Sequence, residues 1–388
     1  MVHKNLYKKV LVQIEFAGFV QSQSFYDKID ALKSAEIPVH VIYKAYYDDY
    51  VKFENSKEVI VQLIQKIENS DSVVYDFAIF EAWIAAKCQH IPTICSIPFQ
   101  LEPNDRENMY FKQLLEINKK DIQEIDSLYG VDLASRFEIA SNIMFIPSEQ
   151  VNVLYGLPSF VQASLFDYNR QLALVKYMTD PESFVCIDTN FFIPTLQTSQ
   201  KLIYVAFGSW LNKIPQTQEC ITQIYNWLIK SFKDNPEYIF IISTGGKDYS
   251  SLLTDIPENF YFYTYVPSQI EVLQHAHLFI THGGLHSVYE SIAHQVPMFV
   301  IPFHDCQHYI ARNVETLKLG KAAMHTESDY QKAAFLGFQF LPRMTLNQQF
   351  LEEAIKEMLV HEDVYQQRLK ILSQEKADSL ASIIQNTL

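Results

Sequence analysis

Residues 278–293 constrain the fold more than any other stretch of this 388-residue chain. A short apolar run at 278–281 has the length and composition of a buried parallel strand. His282 and two glycines follow, and apolar residues then recur at helical spacing over 285–292. The succession of strand, glycine turn and helix is typical of an open α/β sheet, whose ligands bind at the carboxyl ends of the strands.

The glycine turn predicts a binding site for a nucleotide diphosphate. The N–H groups and positive dipole end of a helix start attract phosphate, and Gly283 and Gly284 let the main chain approach it closely. His282 and Ser287 carry side-chain donors for the same anion. Glu290 follows three residues after Ser287, on the same helix face, where its carboxylate can accept from ribose hydroxyls. Alternatively, the glycines form only a turn and His282 is a core histidine, because short motifs give many false matches.

Two separate series of alternating strands and helices predict two Rossmann-like domains that face each other. The first series spans residues 10–97, and the second begins at 202 and ends with a helix at 346–359. Such alternation is typical of βαβ units with parallel sheets. The chain is long enough for two domains with separate cores. We therefore predict an α/β fold, with domains at 1–192 and 193–369.

Composition and charge argue against several classes of protein. The net charge of −14 disfavours nucleic acid and anionic membranes as main partners, because both attract basic surfaces. Five cysteines without close metal-type pairing fit a reduced cytosol. The first residues lack the apolar core of a signal peptide, and no apolar run approaches the roughly 18 residues that span a bilayer. We expect a cytoplasmic protein without integral membrane association, and the sequence leaves its oligomeric state open.

Several short motifs occur in a fixed order between about residue 201 and residue 320. They are Tyr204-Val-Ala-Phe-Gly-Ser209, Tyr265-Val-Pro-Ser-Gln269, His282-Gly-Gly with Ser287 and Glu290, Val296-Pro-Met298, and Pro302 with Gln307. Together they resemble the donor-site signature of the UDP-glycosyltransferases, the GT-B enzymes that include plant and bacterial macrolide glycosyltransferases. The resemblance implies that residues 1–192 bind an acceptor and that 193–369 bind a nucleotide sugar. It also implies that a C-terminal helix at about 370–388 packs back on the first domain.

The resemblance implies roles for further residues of the donor site. Ser209 would join His282 in holding the diphosphate, Gln269 would lie near the nucleobase, and Asp305 and Gln307 would contact the transferred sugar. The donor would be a UDP- or dTDP-sugar that acts as co-substrate, and the acceptor would be a small, partly apolar molecule. No metal or other cofactor is expected, because a helix dipole and backbone donors can neutralise the leaving diphosphate.

Two departures from the family pattern lie at residues expected to contact the donor. Ser268 interrupts the usual Pro-Gln pair, and Asp305 stands one position before the family's acidic residue, where this chain has Cys306. The position of Asp305 leaves the donor sugar open.

The catalytic base departs most clearly from the family pattern. Related enzymes place His or Asp after the first strand, whereas this chain has Phe19, which cannot accept a proton and would instead contact substrate. General base catalysis typically contributes about 10²–10⁴-fold. Asp76 matches the family aspartate that orients the histidine and is the candidate base, with Glu15 or Glu81 nearby. Alternatively, Asp76 is a capping or solvated residue.

The expected activity is the transfer of a sugar from a UDP- or dTDP-sugar to the acceptor, with inversion at the anomeric carbon. One alternative, favoured by Phe19, is a non-catalytic nucleotide-sugar-binding protein that has lost its base. A second is a sugar-nucleotide epimerase on the same fold. A third is a zinc hydrolase, because His304-Asp-Cys-Gln-His308 is close to a zinc-protease helix motif, although it lacks an evident third ligand.

Overall fold

The chain forms two compact units, residues 1–178 with 376–388 and residues 179–375. The structure, a computed structural model, describes residues 10–14, 39–43, 56–77, 79–97, 115–140, 143–160, 171–175, 191–209, 211, 215–249, 252–253, 255–303, 305–323, 346–378 and 382–384. Phe19 and Glu15 lie outside these residues. Both units are built on parallel sheets, as the alternation of strands and helices predicts.

The first unit contains a six-stranded parallel sheet in the order β2-β1-β3-β4-β7-β8, and β5 and β6 form a separate antiparallel pair. Its strands are β1 (Val10–Ile14), β2 (Val39–Tyr43), β3 (Ser72–Asp76), β4 (Thr93–Ile97), β5 (Glu138–Ala140), β6 (Ile143–Phe145), β7 (Val151–Tyr155) and β8 (Gln171–Val175). Its helices are α1 (Ser56–Ile67), α2 (Phe80–Cys88), α3 (Lys119–Tyr129) and α4 (Leu133–Arg136).

The second unit contains another six-stranded parallel sheet, in the order β11-β10-β9-β12-β13-β14. Its strands are β9 (Lys201–Ala206), β10 (Tyr238–Ser243), β11 (Phe260–Tyr263), β12 (Leu278–Thr281), β13 (Met298–Val300) and β14 (Gly320–Ala322). Its helices are α5 (Pro215–Phe232), α6 (Gln269–Leu273), α7 (Leu285–Ala293), α8 (Asp305–Thr316), α9 (Gln348–Val360) and α10 (Glu362–Ser373).

The central strands of the second sheet are buried almost throughout. All four residues of β12 and five of the six in β9 are buried. Parallel sheets are covered on both faces, so their strands are continuous apolar runs rather than alternating ones. This explains why the apolar run at 278–281 predicts β12 with its observed bounds.

The observed elements differ from the predictions mainly at the C-terminal end. The C-terminal helix expected at about 370–388 is wrong in extent, because α10 ends at Ser373 and the described residues at 374–378 are not helical. Strand β14 was not predicted, since three residues carry too little periodicity. Residues 98–114 lie outside the described residues, and α3 is the first long helix after them. None of the described helices is both long and apolar enough to cross a membrane.

Asn259 joins the end of α5 to the strands that follow it. Its buried side-chain amide donates to the backbone carbonyls of Phe232 at 3.0 Å, Asn235 at 3.3 Å and Tyr238 at 2.9 Å. Carbonyl groups at the end of a helix lack intrahelical donors. The carbonyls of Phe232 and Asn235 also accept from backbone N–H groups, so the Asn259 amide adds a second donor there and links the helix end to β10.

Replacing Asn259 with alanine is expected to destabilise the second unit by about 1–3 kcal/mol, because three hydrogen bonds from one buried side chain are lost. Urea unfolding of the full chain measures this change. The control is Gln349→Ala, since Gln349 is exposed and its amide donates to Glu353 in the same helix; it should shift stability by less than about 0.5 kcal/mol. Equal unfolding midpoints for the two variants would contradict the role of Asn259.

Candidate functional site

The strand order of the second sheet reverses between β9 and β12, its two central strands. From β9 the chain continues to β10 on one side, whereas β12 lies on the other side. Ligands of open α/β sheets bind outside the carboxyl ends of the strands at such a reversal. The segments that follow these two ends contain Gly208 and Ser209 after β9, and His282, Gly283 and Gly284 after β12. The fold thus brings two predicted site segments to one edge of the sheet.

The imidazole of His282 packs against glycines from both segments. A Cβ atom built at Gly284 would lie 2.6 Å from Nε2 of His282, and one built at Gly208 would lie 3.3 Å from the same atom. The ring therefore occupies space that side chains at either glycine would need. This packing holds His282 at the carboxyl edge of the sheet, next to the start of α7.

Glycine is required at position 283 by the backbone conformation there and by the atoms around it. Its φ of +82° is in the left-handed region that side chains rarely adopt. A Cβ atom there would lie 2.8 Å from Cγ1 of Val300 and 3.4 Å from the carbonyl oxygen of Gln307. The turn is therefore held tightly against β13 and α8.

Helix α7 begins immediately after this turn, with backbone donors at its start. Gly284 is the N-cap residue and has extended dihedrals, and in the described structure no side chain caps it. The first intrahelical bond runs from the N–H of Val288 to the carbonyl of Gly284 at 3.0 Å. The N–H groups of residues 285–287 precede that bond and, with the helix dipole, suit phosphate oxygens.

The side chain of Gln269 connects two helices and a strand next to this turn. Its Nε2 donates to Oγ of Ser287 at 3.1 Å and to Oε2 of Glu290. Its Oε1 accepts a hydrogen bond of 3.3 Å from the hydroxyl of Tyr204. Gln269, Ser287 and Glu290 thus form one polar cluster, and the predicted shared helix face of Ser287 and Glu290 is observed. Their roles toward a ligand stay predictions.

Tyr204 belongs to the cluster although the sequence did not single it out as a site residue. Burial raises its pKa strongly and the negative charge of Glu290 raises it further, while a hydrogen bond with Ser243 lowers it. The hydroxyl therefore remains protonated and acts as a donor at physiological pH. The only sequence signal that Tyr204 takes part in a polar cluster is its position within an apolar strand, because buried tyrosine hydroxyls usually have a hydrogen-bond partner.

The residues predicted to contact the transferred sugar lie in the first turn of α8. Gln307 is buried, and its Oε1 accepts a 2.8 Å hydrogen bond from the backbone N–H of Phe303. Any contact of its side chain with a sugar would therefore come from Nε2. Asp305 is the first residue of α8, and its side chain lies outside the part of the structure that is described. Ser209 is partly exposed after β9, and its role likewise stays a prediction.

The candidate base Asp76 is the last residue of β3, in the first unit. The strand order of that sheet reverses between β1 and β3, so Asp76 lies at the carboxyl edge where a ligand is expected. Its register partner on β4 is Ser96, whose Oγ is 3.1 Å from the hydroxyl of Tyr155. Burial raises the pKa of Tyr155, the Ser96 hydrogen bond lowers it, and the charge of Asp76 raises it. A buried carboxylate and two hydroxyls therefore lie close together.

Glu81, expected as a possible carboxylate near Asp76, lies in the first turn of α2, the helix that follows β3. It is fully buried and accepts a 2.8 Å hydrogen bond from Oγ of Ser56 at the start of α1. This contact joins the two helices. Any assistance that Glu81 gives to Asp76 stays a prediction.

Within the described ranges, no three His, Cys, Asp or Glu side chains are grouped to hold a metal ion. His304, the first residue of the zinc-like motif, lies outside those ranges.

Sequence comparison finds relatives among nucleotide-sugar enzymes. Residues 194–376 match the family profile described as UDP-glucoronosyl and UDP-glucosyl transferase. The chain is 28% identical over 288 residues to the NDP-glycosyltransferase YjiC of Bacillus licheniformis. The aligned region covers 72% of this chain and 66% of that protein. The chain thus spans slightly less than two thirds of the length of this curated relative.

Structural comparison finds similarity over nearly the whole chain. The glycotransferase of kitacinnamycin superposes with a TM-score of 0.68 at 16% identity, covering 98% of both chains. The spinosyn rhamnosyltransferase SpnG, in its complex with thymidine diphosphate, gives a TM-score of 0.62 at 12% identity over 97% of this chain and 99% of its own. These similarities confirm the predicted GT-B fold.

Replacing Gly283 with alanine is expected to weaken binding of inorganic pyrophosphate by at least about tenfold. A Cβ atom there would collide with Val300 and displace the backbone N–H groups of the turn from the anion. A lost hydrogen bond to a charged group costs about 1.5–3 kcal/mol, and about 1.4 kcal/mol corresponds to a tenfold change in affinity. Titration calorimetry of the wild type and the variant measures the change.

The matched control is Gly130→Ala. Gly130 has a φ of +63° but no atom within 4 Å of a built Cβ, so the variant carries backbone strain without a clash and should bind pyrophosphate as the wild type does. Unchanged affinity in Gly283→Ala would show that the turn does not bind the anion.

Proposed function

We propose that this chain, whose residues 194–376 belong to the UDP-glucoronosyl and UDP-glucosyl transferase family, transfers a sugar from a nucleotide diphosphate to a small acceptor. One observation carries the proposal: the glycine turn, His282 and the start of α7 meet at the carboxyl edge where the second sheet reverses its strand order. Backbone N–H groups at such a position are suited to a diphosphate.

The donor would bind to the second unit through contacts of three kinds. Backbone N–H groups at the start of α7, with His282 and Ser209, would hold the diphosphate. Glu290 would accept from ribose hydroxyls, and Gln269 would contact the nucleoside or support Glu290. Family membership supports a UDP-linked donor, and the thymidine diphosphate bound to the structurally similar SpnG supports dTDP as well.

The reaction would displace the nucleoside diphosphate from the anomeric carbon. The acceptor oxygen forms the new bond to that carbon from the face opposite the diphosphate, so the configuration inverts. Negative charge builds up on the departing diphosphate, and fixed N–H donors stabilise such charge without reorganising. The proton of the acceptor hydroxyl passes to a carboxylate, and the departing diphosphate carries away the electrons of the broken bond.

Asp76 is the residue that we propose accepts this proton. It ends β3 at the carboxyl edge of the first sheet, close to the hydroxyls of Ser96 and Tyr155. A carboxylate is a weak base, so an acceptor that ionises easily, such as a phenol or a carboxylic acid, would need the least assistance. Asp305 and Gln307 would bind the transferred sugar, with Nε2 of Gln307 as its donor.

Replacing Asp76 with asparagine is expected to lower kcat by about 10²–10⁴-fold, the usual contribution of a general base. Binding of UDP or dTDP should not change, because the donor site is in the other unit. Product formation under saturating donor and acceptor measures kcat. Asp121→Asn on α3 removes a carboxylate of the same unit and serves as the control. If Asp76→Asn keeps wild-type turnover, another group is the base.

A second candidate function is nucleotide-sugar binding without catalysis, favoured by Phe19 at the position of the family's base.

A test of turnover separates the two candidate functions. For a glycosyltransferase, we expect that UDP- or dTDP-sugars incubated with a panel of phenols, carboxylic acids and alcohols give glycosylated products, detected by mass spectrometry. A control without acceptor should leave the donor unchanged. Donor binding without any product would favour the non-catalytic protein, and an epimerised sugar in the control would favour an epimerase.

A further inference from the structure

We infer that Tyr204 is a positioning residue of the donor site, whose hydroxyl orients the Gln269 amide so that the amide nitrogen holds Glu290 toward the ribose. This inference rests on the proposed function, because it assigns Glu290 to the ribose of the nucleotide. It also gives Gln269 a different role from the predicted contact with the nucleobase.

The ring of Tyr204 is fixed before any hydrogen bond is considered. Tyr204 is in β9 and is 1% exposed, and its register partner on the adjacent strand β12 is Phe279. The two rings stack with centroids 5.0 Å apart and planes 11° from parallel. The hydroxyl at the end of this stacked ring therefore has a defined position.

The hydroxyl determines which way the Gln269 amide faces. An amide presents an acceptor at Oε1 and donors at Nε2. Because the Tyr204 hydroxyl donates to Oε1 at 3.3 Å, Nε2 faces the opposite side and donates to Ser287 and Glu290. The reversed amide would set its oxygen against the Glu290 carboxylate, and two acceptors would then repel each other.

Glu290 benefits from this orientation because its carboxylate must hold a fixed position to bind sugar hydroxyls. Hydrogen bonds with an ionised partner are the stronger kind, so the contact from Nε2 restrains the carboxylate effectively. Tyr204 on β9 therefore restrains Glu290 on α7 through Gln269 on α6, and these three elements meet at the sheet edge. A loss of the Tyr204 hydroxyl should therefore affect only ligands that Glu290 binds through hydroxyl groups.

The test uses Tyr204→Phe, which removes the hydroxyl and keeps the stacked ring. Calorimetry measures Kd for UDP and dTDP and for their 2′,3′-dideoxy counterparts, which lack the sugar hydroxyls. We expect Kd for UDP or dTDP to rise about three- to tenfold, as for one lost hydrogen bond, while Kd for the dideoxy compounds stays unchanged. Gln269→Leu should give a similar loss, and the double variant should add little to either, because the two residues act in one network.

Tyr225→Phe is the matched control. Tyr225 is another fully buried tyrosine of the second unit, located in α5, and removing its hydroxyl should leave all four Kd values unchanged. Equal affinities of the wild type and Tyr204→Phe for both nucleotides, or an equal rise for the dideoxy compounds, would overturn the inference alone. No binding of UDP or dTDP to the wild type would overturn the proposed function itself, and the inference with it.

Discussion

The packing of the His282 imidazole against Gly208 and Gly284 is the contact on which the candidate donor site depends. It joins the ends of the two central strands, β9 and β12, at the point where the strand order reverses. Without side chains at these glycines, the ring, the turn and the start of α7 can occupy one small region. The backbone donors of the helix start are thereby presented at the sheet edge, where open α/β folds bind their ligands.

Local dipoles rather than net charge explain how this protein would bind an anion. The chain carries a net charge of −14, which repels a diphosphate at long range. At physiological ionic strength such repulsion is screened within about 8 Å. Backbone N–H groups, a helix dipole and a fixed imidazole act at hydrogen-bond distance and are not screened in this way. An acidic surface and a diphosphate site are therefore compatible in one molecule.

The local parts of the fold and site could be predicted from the sequence. The apolar run of β12 and the spacing of Ser287 and Glu290 on α7 depend on neighbours within a few residues, and both are observed. The contacts of Gln269 could not be predicted, because they require α6 to pack beside α7 and β9. The role of Tyr204 could not be predicted either, because a tyrosine within an apolar strand has the same sequence pattern as a residue of the hydrophobic core. The end of α10 at Ser373 also lacked a sequence signal, because no glycine or proline marks it.

We propose that the main chain between β12 and α7 binds the diphosphate of a nucleotide, and a crystal structure of the full chain soaked with UDP or dTDP would test this role. We expect phosphate oxygens at about 2.7–3.2 Å, the usual hydrogen-bond distance, from backbone nitrogens at the start of α7, with Glu290 on the ribose. A nucleotide bound elsewhere, with this turn in contact only with packed side chains, would show that the turn does not bind the diphosphate.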